Sequence, residues 1–322
     1  MKKVIIFTVL FLVAVSAFSE TILKFAYSRE PASPRGIASE LFKSTVEMKS
    51  KNKIKIELYD SSKLGVDAQV IEGVVNGSVD MTVASADYFA TYAPKVGISR
   101  LPYLFSDLDK ARKFMDSEIV AEINKDLERS NIVVLAHFDN GFRCVTTAHK
   151  PVYSVRDMKD LRIRTSVSQA NIETIAALGA LPVSLVLTEV PEVLKKGLLD
   201  GQENSIQIIY NNKLYNYQKY LAMTNHSYEA LPFVIRKDLW DSLSKSYQKI
   251  IKDAALQAQK INRDIIKEQN ENLVKNLKNE GMIITNPDID EFAEATKGVY
   301  DIYAKFCGQE LIEQVKTFAG KK

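Results

Sequence analysis

The stretch Ile54–Ala84, IKIELYDSSKLGVDAQVIEGVVNGSVDMTVA, predicts a strand, a helix and a second strand in succession. Its first six residues alternate between apolar and polar side chains, which is typical of a strand with one face in the core. Residues 67–76 have helical apolar spacing and are followed by Gly77, a residue common just after helix ends. Met81–Ala84 is a short apolar strand. This alternation predicts an α/β fold with a mainly parallel sheet, in which ligands bind at the carboxyl ends of strands.

The same alternation recurs before and after this stretch. Ile22–Tyr27 predicts a strand, and the polar turn Ser28–Pro34 leads into a helix. A second unit begins near Arg143, with strands at Arg162–Thr165 and Pro182–Leu187 and helices at Gln169–Leu178 and Glu189–Lys196. The hydrophobic stretch Leu221–Phe233 then returns the chain to the first unit. Because 322 residues exceed what one hydrophobic core usually serves, we expect two lobes joined by more than one crossing.

One long segment, Lys245–Glu280, contains no glycine or proline and carries an apolar stripe at helical spacing. A single helix of this length would extend about 50 Å, which is longer than one lobe. The segment therefore predicts either one helix lying across both lobes or two helices separated by a break.

The N-terminal residues have the pattern of a secretory signal. Lys2 and Lys3 precede the apolar run Val4–Val15, and Ala17-Phe18-Ser19 offers a small-x-small cleavage site. Because the run is too short for a spanning helix, we expect residues 1–19 to be removed and the mature protein to be extracytoplasmic. The alternative is an uncleaved membrane anchor.

Composition narrows the class of partner. The chain carries 43 lysines and arginines against 40 acidic residues, and Lys2 and Lys3 lie in the predicted signal. A nearly neutral mature chain lacks the positive field that nucleic acid or acidic lipid requires, so we expect no nucleic-acid partner. The two cysteines, Cys144 and Cys307, either pair in an oxidising compartment or remain two buried thiols.

Motifs for catalysis are missing from the sequence. It contains no Gly-x-Ser-x-Gly elbow, no phosphate-binding glycine loop and no dinucleotide-binding glycine pattern. The three histidines, His137, His149 and His226, do not have the spacing of metal ligands. We therefore expect no catalytic residue, no metal and no cofactor. The enzymatic alternative is a secreted hydrolase or lyase that uses Glu189 or Glu203 as a base.

The polar side chains at predicted strand ends favour a binding site for an acid. Arg143 and Arg164 each lie in a segment otherwise suited to burial, and a guanidinium is a fork of fixed donors that matches a carboxylate. Asn204 either contacts the ligand or caps the helix that follows. Asp200 and Glu203 are possible ion-pair partners of the arginines.

Ordered motifs along nearly the whole mature chain carry a resemblance to a known family. They are Lys53–Tyr59, Ser62–Gly65, Asn76–Met81, Leu101–Phe105, Gly141–Arg143, Leu161–Arg164, Ala177–Ala180, Asp200–Asn204, Gln218–Tyr220 and Thr224–His226. In their order and spacing the chain resembles the substrate-binding receptor of a tripartite ATP-independent periplasmic (TRAP) transporter, of the DctP type.

The resemblance implies a two-lobe periplasmic-binding-protein fold with a hinge and a long helix spanning both lobes. Lobe I would comprise residues 20–141 and about 230–269, and lobe II residues 142–229 and about 270–322. The protein, expected to be a monomer, would capture an organic acid anion in the cleft and deliver it to the membrane permease subunits. Arg164 would form the principal salt bridge to the carboxylate, with polar contacts from Arg143 and Asn204 and, from the other lobe, from Ser28, Arg29 and Ser85.

The chain departs from the family pattern at three positions. Sialic-acid-binding members have asparagine three residues after the main arginine and an aromatic residue under the sugar ring, where this chain has Val167 and Leu187. These differences favour a smaller or more apolar acid. Ser205 replaces the proline that often follows the Gln-Glu-Asn run and leaves a backbone N–H free.

The identity of the acid stays open at this level. Arg29 or Arg35 would supply a second cation for a dicarboxylate, or would only face water. A ligand-sensing partner of a membrane sensor kinase is the alternative to a transport receptor, and it would use the same binding site.

Overall fold

The computed structural model describes residues 20–321, so the predicted signal at residues 1–19 lies outside the described part. The strands are β1 (Thr21–Ala26), β2 (Ile54–Tyr59), β3 (Met81–Val83), β4 (Ile132–Thr147), β5 (Arg162–Thr165), β6 (Leu181–Ser184), β7 (Gly201–Ser205), β8 (Tyr220–Arg236) and β9 (Ile283–Thr285). The helices are α1 (Pro34–Lys49), α2 (Asp67–Asn76), α3 (Ala86–Phe89), α4 (Leu108–Met115), α5 (Glu118–Lys125), α6 (Gln169–Ala177), α7 (Val190–Lys195), α8 (Ile206–Asn211), α9 (Lys237–Ser242), α10 (Lys245–Asn279), α11 (Ile289–Ala295), α12 (Gly298–Cys307) and α13 (Gln309–Phe318).

The strands form one sheet in the order β2-β1-β3-β8-β4-β7-β5-β6, with β9 beside β8. The outer pairs, β1–β2, β1–β3, β5–β6, β5–β7 and β8–β9, are parallel. The central pairs, β3–β8, β4–β8 and β4–β7, are antiparallel. The expectation of a mainly parallel sheet is therefore wrong at its centre, because the chain leaves the first lobe along β4 and returns along β8.

The long strands β4 and β8 join the two lobes. Their shared ladder has register shifts between Val134 and Ala136, between Asp139 and Gly141, and between Arg143 and Val145. Such bulges bend a strand and redirect its side chains. Arg143 was predicted at a strand end but lies inside β4, because the apolar run that begins at Ile132 continues as a strand through the lobe boundary. Asn204 likewise lies within β7, not after it.

Helix α10 is a single helix of 35 residues, as one of the two sequence alternatives predicted. Its N-terminal half packs Ile251 and Ala255 into the core of β1, β3 and α1, and its C-terminal half packs Leu273 and Leu277 into the core of the second lobe. One rigid element thus contributes to the cores of both lobes.

The middle of α10 also supplies hydrogen bonds at the bulges of β4. Gln259 Oε1 accepts from His137 N at 2.8 Å, and Asn262 Oδ1 accepts from Asp139 N at 2.6 Å. A buried N–H without a partner is costly, so these two side chains compensate for bonds that the irregular ladder does not provide. The helix is therefore coupled to the part of β4 where the lobes meet.

Several local predictions are settled by the structure. Strand β6 ends at Ser184, not at Leu187, because the chain turns there into the short 3-10 helix Leu187–Glu189. Cys144 and Cys307 are free, buried thiols in separate apolar clusters. The proposed residue limits of the lobes stay predictions. Between residues 20 and 321, no helix has both the length and the apolar character to cross a membrane.

The close contact between β7 and its neighbours gives a stability prediction. A Cβ at Gly201 would overlap the carbonyl oxygen of Thr146 and lie 2.9 Å from Cδ1 of Ile163. Overpacking of this kind costs about 1–3 kcal/mol, so Gly201→Ala should lower the free energy of unfolding in urea by that amount. Gly298→Ala is the control, because no atom lies within 4 Å of the added Cβ. Equal stability of the two variants would contradict the packing described for β7.

The buried imidazole of His137 gives a pH prediction. Burial lowers its pKa from the ordinary 6.5 to about 3, and the charge of Arg263 acts in the same direction. Between these values the unfolded chain binds more protons, so the free energy of unfolding falls as the pH drops from about 6.5 towards 3. One such group contributes a slope of at most about 1.4 kcal/mol per pH unit.

His137→Gln should therefore flatten the decline of unfolding free energy between pH 6.5 and 4, measured by urea titrations. His149→Gln, which removes an exposed imidazole, should retain the wild-type slope. Identical slopes for wild type and His137→Gln would show that His137 is not buried in its neutral form.

Candidate functional site

A cleft lies where the bulged middle of β4 and β8 faces the carboxyl ends of strands from both lobes. It is lined by Ser28, Arg29, Arg35, Ser62, Val66, Asp67, Ser85, Asp87, Tyr88, Asn140, Arg143, Arg164, Ser166, Val186, Leu187, Thr188, Asn204 and Glu229. The structure brings seven of the eight residues predicted from the sequence to this cleft. The exception is Val167, whose side chain is exposed and does not line it.

Arg143 is held by protein acceptors on every side. Its Nε and Nη2 pair with the Glu203 carboxylate, Nη2 also donates to Glu203 O at 2.8 Å, and Nη1 donates to Asn204 Oδ1 at 3.0 Å and to Glu229 Oε2. A guanidinium has five N–H donors, and these five bonds use all of them. Arg143 therefore has no donor left for a ligand unless one of these bonds breaks.

Two of the carboxylates around Arg143 are buried and ionised. Burial alone would raise the pKa of Glu203, but the Arg143 guanidinium holds that pKa well below its usual value. The pKa of Glu229 is likewise lowered, against the effect of burial, by Arg100 and Arg143. Burial lowers the pKa of His226, whose Nε2 lies 3.4 Å from Glu203 Oε2, so this imidazole is neutral at pH 7.

A second buried ion pair extends the network into the first lobe. Arg100 is fully buried; its Nε donates to Asp87 Oδ1 at 2.6 Å, and its Nη2 pairs with Asp87 Oδ2. Asp87 Oδ2 also accepts from Ser166 Oγ, in the second lobe, at 2.8 Å. Ser85 Oγ donates to Glu229 Oε1 at 2.8 Å. The floor of the cleft is thus a continuous set of charged hydrogen bonds joining both lobes.

Arg164 differs from Arg143 in its bonding. Its Nε and Nη2 donate to Leu185 O at 3.0 and 2.6 Å, and it forms no ion pair with a carboxylate of residues 20–321. Only 2% of the residue is exposed. Burial lowers the pKa of Arg164 to about 10, a value at which the guanidinium is still charged at neutral pH. Nη1 and one N–H of Nη2 remain as donors.

Asn204 supports Arg143 and also faces the cleft. Its Oδ1 accepts from Arg143 Nη1 and, at 3.1 Å, from Ser205 N, so the backbone N–H expected to be free at Ser205 is bonded. The predicted alternative, a cap of α8 by Asn204, is not observed, because the N-cap position is Ser205. The Asn204 amide nitrogen forms no hydrogen bond with the described residues, so it can donate into the cleft.

The first-lobe wall of the cleft carries two further arginines. Arg35 Nη1 donates to Ser28 Oγ at 3.3 Å and to Val83 O at 3.2 Å, and it lies 3.5 Å from Asp67 Oδ1. Arg29 Nε is buried without a hydrogen-bond partner among the described residues. Both arginines follow β1, whose carboxyl end opens into the cleft.

Comparison with known proteins identifies the family of this chain. The model of the DctP family, the bacterial extracellular solute-binding proteins of family 7, matches residues 25–306. The chain belongs to the DctP family. It is therefore a solute-binding protein of the TRAP type, as the resemblance predicted, and its two-lobe α/β fold is that of the family. TRAP solute-binding proteins are extracytoplasmic, bind small organic acids and work with membrane permease components.

This chain is similar over most of its length to the following three solute-binding proteins. A 2,3-diketo-L-gulonate-binding periplasmic protein of Escherichia coli K12 is 31% identical over 303 residues, which cover 92% of each chain. A C4-dicarboxylate-binding protein of Bacillus subtilis 168 is 27% identical over 300 residues, 92% of this chain and 86% of that one. The TRAP solute-binding protein of Polaromonas sp. JS666 with bound D-erythronate superimposes with a TM-score of 0.88 at 30% identity, covering 92% of this chain and 98% of that one.

Sequence reasoning missed several residues of the DctP cleft. Asp67 begins α2 and Tyr88 lies within α3, both shortly after the carboxyl end of a strand, so the rule that sites lie at strand carboxyl ends could have found them. Asn140 and Glu229 lie inside β4 and β8, and no local pattern distinguishes them from other strand residues. In residues 20–321 no cluster of three or more His, Cys, Asp or Glu is placed to hold a metal ion.

The buried ion pair between Arg143 and Glu203 predicts that substitutions of two nearby carboxylates differ strongly in their effect on the free energy of unfolding. Glu203→Gln removes a buried charge paired with Arg143, which costs about 3–5 kcal/mol of unfolding free energy. Asp200→Asn removes a partly exposed charge paired with Arg162, at 2.9 Å, which costs at most about 1 kcal/mol. Urea denaturation of both variants measures the difference. A smaller loss in Glu203→Gln than in Asp200→Asn would contradict the described network.

Proposed function

We propose that this protein captures an organic acid anion by pairing its carboxylate with Arg164 and delivers the ligand to the membrane permease of a TRAP transporter. In this proposal the export signal at residues 1–19 is cleaved, and the protein returns its ligand chemically unchanged. The observation that carries the proposal is a buried arginine in the cleft with unused donors and no carboxylate partner among the described residues.

The physical argument starts from the cost of an uncompensated buried charge. Removing a guanidinium from water is unfavourable unless an opposite charge or good acceptors replace the water. Leu185 O supplies one acceptor to Arg164; the nearby Glu203 carboxylate attracts its charge and Arg143 repels it, but no carboxylate among the described residues forms an ion pair with it. A ligand carboxylate would supply the missing charge and accept from Nη1 and from the remaining N–H of Nη2, as bidentate arginine–carboxylate pairs do.

Arg143 has a different part in this proposal. Because its five donors are satisfied, it holds Asn204 at the cleft and makes no direct bond to the ligand. The free amide of Asn204 would donate to the second carboxylate oxygen. Leu187 and Val186 would cover the apolar part of the ligand, since both line the cleft beside Arg164.

The ligands of the relatives are consistent with this chemistry. The proteins from Escherichia coli, Polaromonas and Bacillus bind 2,3-diketo-L-gulonate, D-erythronate and C4-dicarboxylates, respectively, and every one of these carries a carboxylate. The shared feature across sugar acids and dicarboxylates is therefore the carboxylate, the group that Arg164 binds in this proposal.

Substitution of Arg164 tests the proposal. A carboxylate acid that stabilises the protein in a thermal-shift screen would be titrated by calorimetry against wild type, Arg164→Ala and Arg164→Lys. Loss of a desolvated charge pair costs about 3 kcal/mol or more, so Arg164→Ala should weaken binding at least about 100-fold. Arg164→Lys retains the charge but not the fork, so its affinity should lie between the two.

Arg162 provides a matched control on the same strand. It lies two residues before Arg164 in β5, but its side chain is 46% exposed and pairs with Asp200 outside the cleft. Arg162→Ala should bind the ligand within about twofold of wild type, since exposed pairs contribute little. Undiminished affinity in Arg164→Ala would reject Arg164 as the carboxylate site.

A further inference from the structure

Asp67 is a carboxylate in a cleft that we propose binds an anion, and it is poorly satisfied by the protein. It is 9% exposed, lines the cleft, and its Oδ1 has no hydrogen-bond partner among the described residues. Its contacts are long: Oδ1 lies 3.5 Å from Arg35 Nη1, and Oδ2 accepts from Ser85 N at 3.4 Å. A carboxylate can accept about four hydrogen bonds, so Asp67 has unused capacity.

The helix that Asp67 begins does not account for this arrangement. An acidic residue in the first turn is stabilised by the helix dipole, but this effect needs no burial. The N-terminus of α2 is instead capped by Gln69, whose Oε1 accepts from Val66 N at 3.0 Å. Burial of Asp67 beside the cleft therefore points to an acceptor for something other than the helix.

The charges around the cleft limit what the ligand can be. Among the described residues, the groups that line or directly support the cleft are five arginines and four carboxylates: Arg29, Arg35, Arg100, Arg143, Arg164, Asp67, Asp87, Glu203 and Glu229. The formal charges of this set therefore sum to +1. A monoanion neutralises it, whereas a dianion would leave an excess negative charge in a buried site that already contains Asp67.

We infer that the ligand is a hydroxy monocarboxylate, with its carboxylate on Arg164 and a hydroxyl donating to Asp67 on the first-lobe wall. The inference rests on the proposed function, because it assumes that Arg164 receives the carboxylate. Asp67 then selects among ligands by two effects. It accepts a charge-assisted hydrogen bond from a hydroxyl, and it repels a second carboxylate placed near Arg29 and Arg35.

Two series of acids of constant chain length test the inference. Erythronate, butanoate and succinate form the four-carbon series, and gulonate, hexanoate and adipate form the six-carbon series. Calorimetry on the wild-type protein should show, in at least one series, the hydroxylated monoacid binding at least about tenfold tighter than the other two members. This ratio is the range expected for a hydrogen bond to a charged group.

Variants of Asp67 assign the preference to this side chain. Asp67→Ala should reduce the affinity for the preferred hydroxy acid at least about tenfold, with little change for the unsubstituted monoacid. Asp67→Asn retains the shape, so it serves if the alanine variant does not fold. Asp67→Asn should also reduce the difference in affinity between the hydroxy acid and the diacid, because the charge that repels the second carboxylate is gone.

Glu72→Gln is the matched control. Glu72 carries the same charge on the same helix, but it is exposed and does not line the cleft. This variant should bind like wild type. The inference is overturned if hydroxyl preference survives in both Asp67 variants, or if succinate or adipate is the tightest ligand of its series.

The outcomes also separate this inference from the proposed function. Tight diacid binding that is lost in Arg164→Ala would reject the role of Asp67 and retain Arg164 as the carboxylate site. Binding that is unaffected by Arg164→Ala would reject the proposed function itself. Absence of binding for all six acids would reject both.

Discussion

The buried bonding of Arg143 to Glu203, Glu229 and Asn204 is the interaction on which the rest of the site depends. It joins β4, β7 and β8 at the point where the lobes meet, and all its members are nearly inaccessible to water. A buried ion pair contributes little net stability, but removing one member leaves an uncompensated charge. The arrangement therefore fixes the geometry of the cleft floor more than it stabilises the fold.

The backbone of β4 and β8 determines where Arg143 and its neighbours point. Register shifts in the β4–β8 ladder on both sides of Phe142 turn the side chains of Asn140, Arg143 and Glu229 towards one cleft. Helix α10 compensates for the irregular ladder by accepting from His137 N and Asp139 N. The bulges of β4 and β8 therefore orient the cleft side chains, and polar side chains of α10 bond the backbone N–H groups of β4 near those bulges.

Much of this could be predicted from the sequence, and the parts that could not have a common cause. Strand β2, helix α2 and the uninterrupted α10 follow from local apolar spacing and were placed within a residue of their observed ends. Arg164 was recognisable because a charged residue occurs in a short strand that is otherwise suited to burial. The sequence did not reveal that all N–H donors of Arg143 are used, because one of the acceptors is Glu229, which is 86 residues away in sequence.

Arg143 and Arg164, which both line the cleft, show why residue type alone does not define a binding role. Both are about equally buried, but of the two only Arg164 retains free donors and lacks a carboxylate partner between residues 20 and 321. In a closed cleft without ligand this charge has an unfavourable environment, and opening of the lobes would return water to it. In the proposed function a ligand carboxylate replaces that water as the cleft closes, so Arg164 contributes to the difference in ligand affinity between the open and closed forms. In that proposal the group that selects an anion also favours closure of the lobes around it.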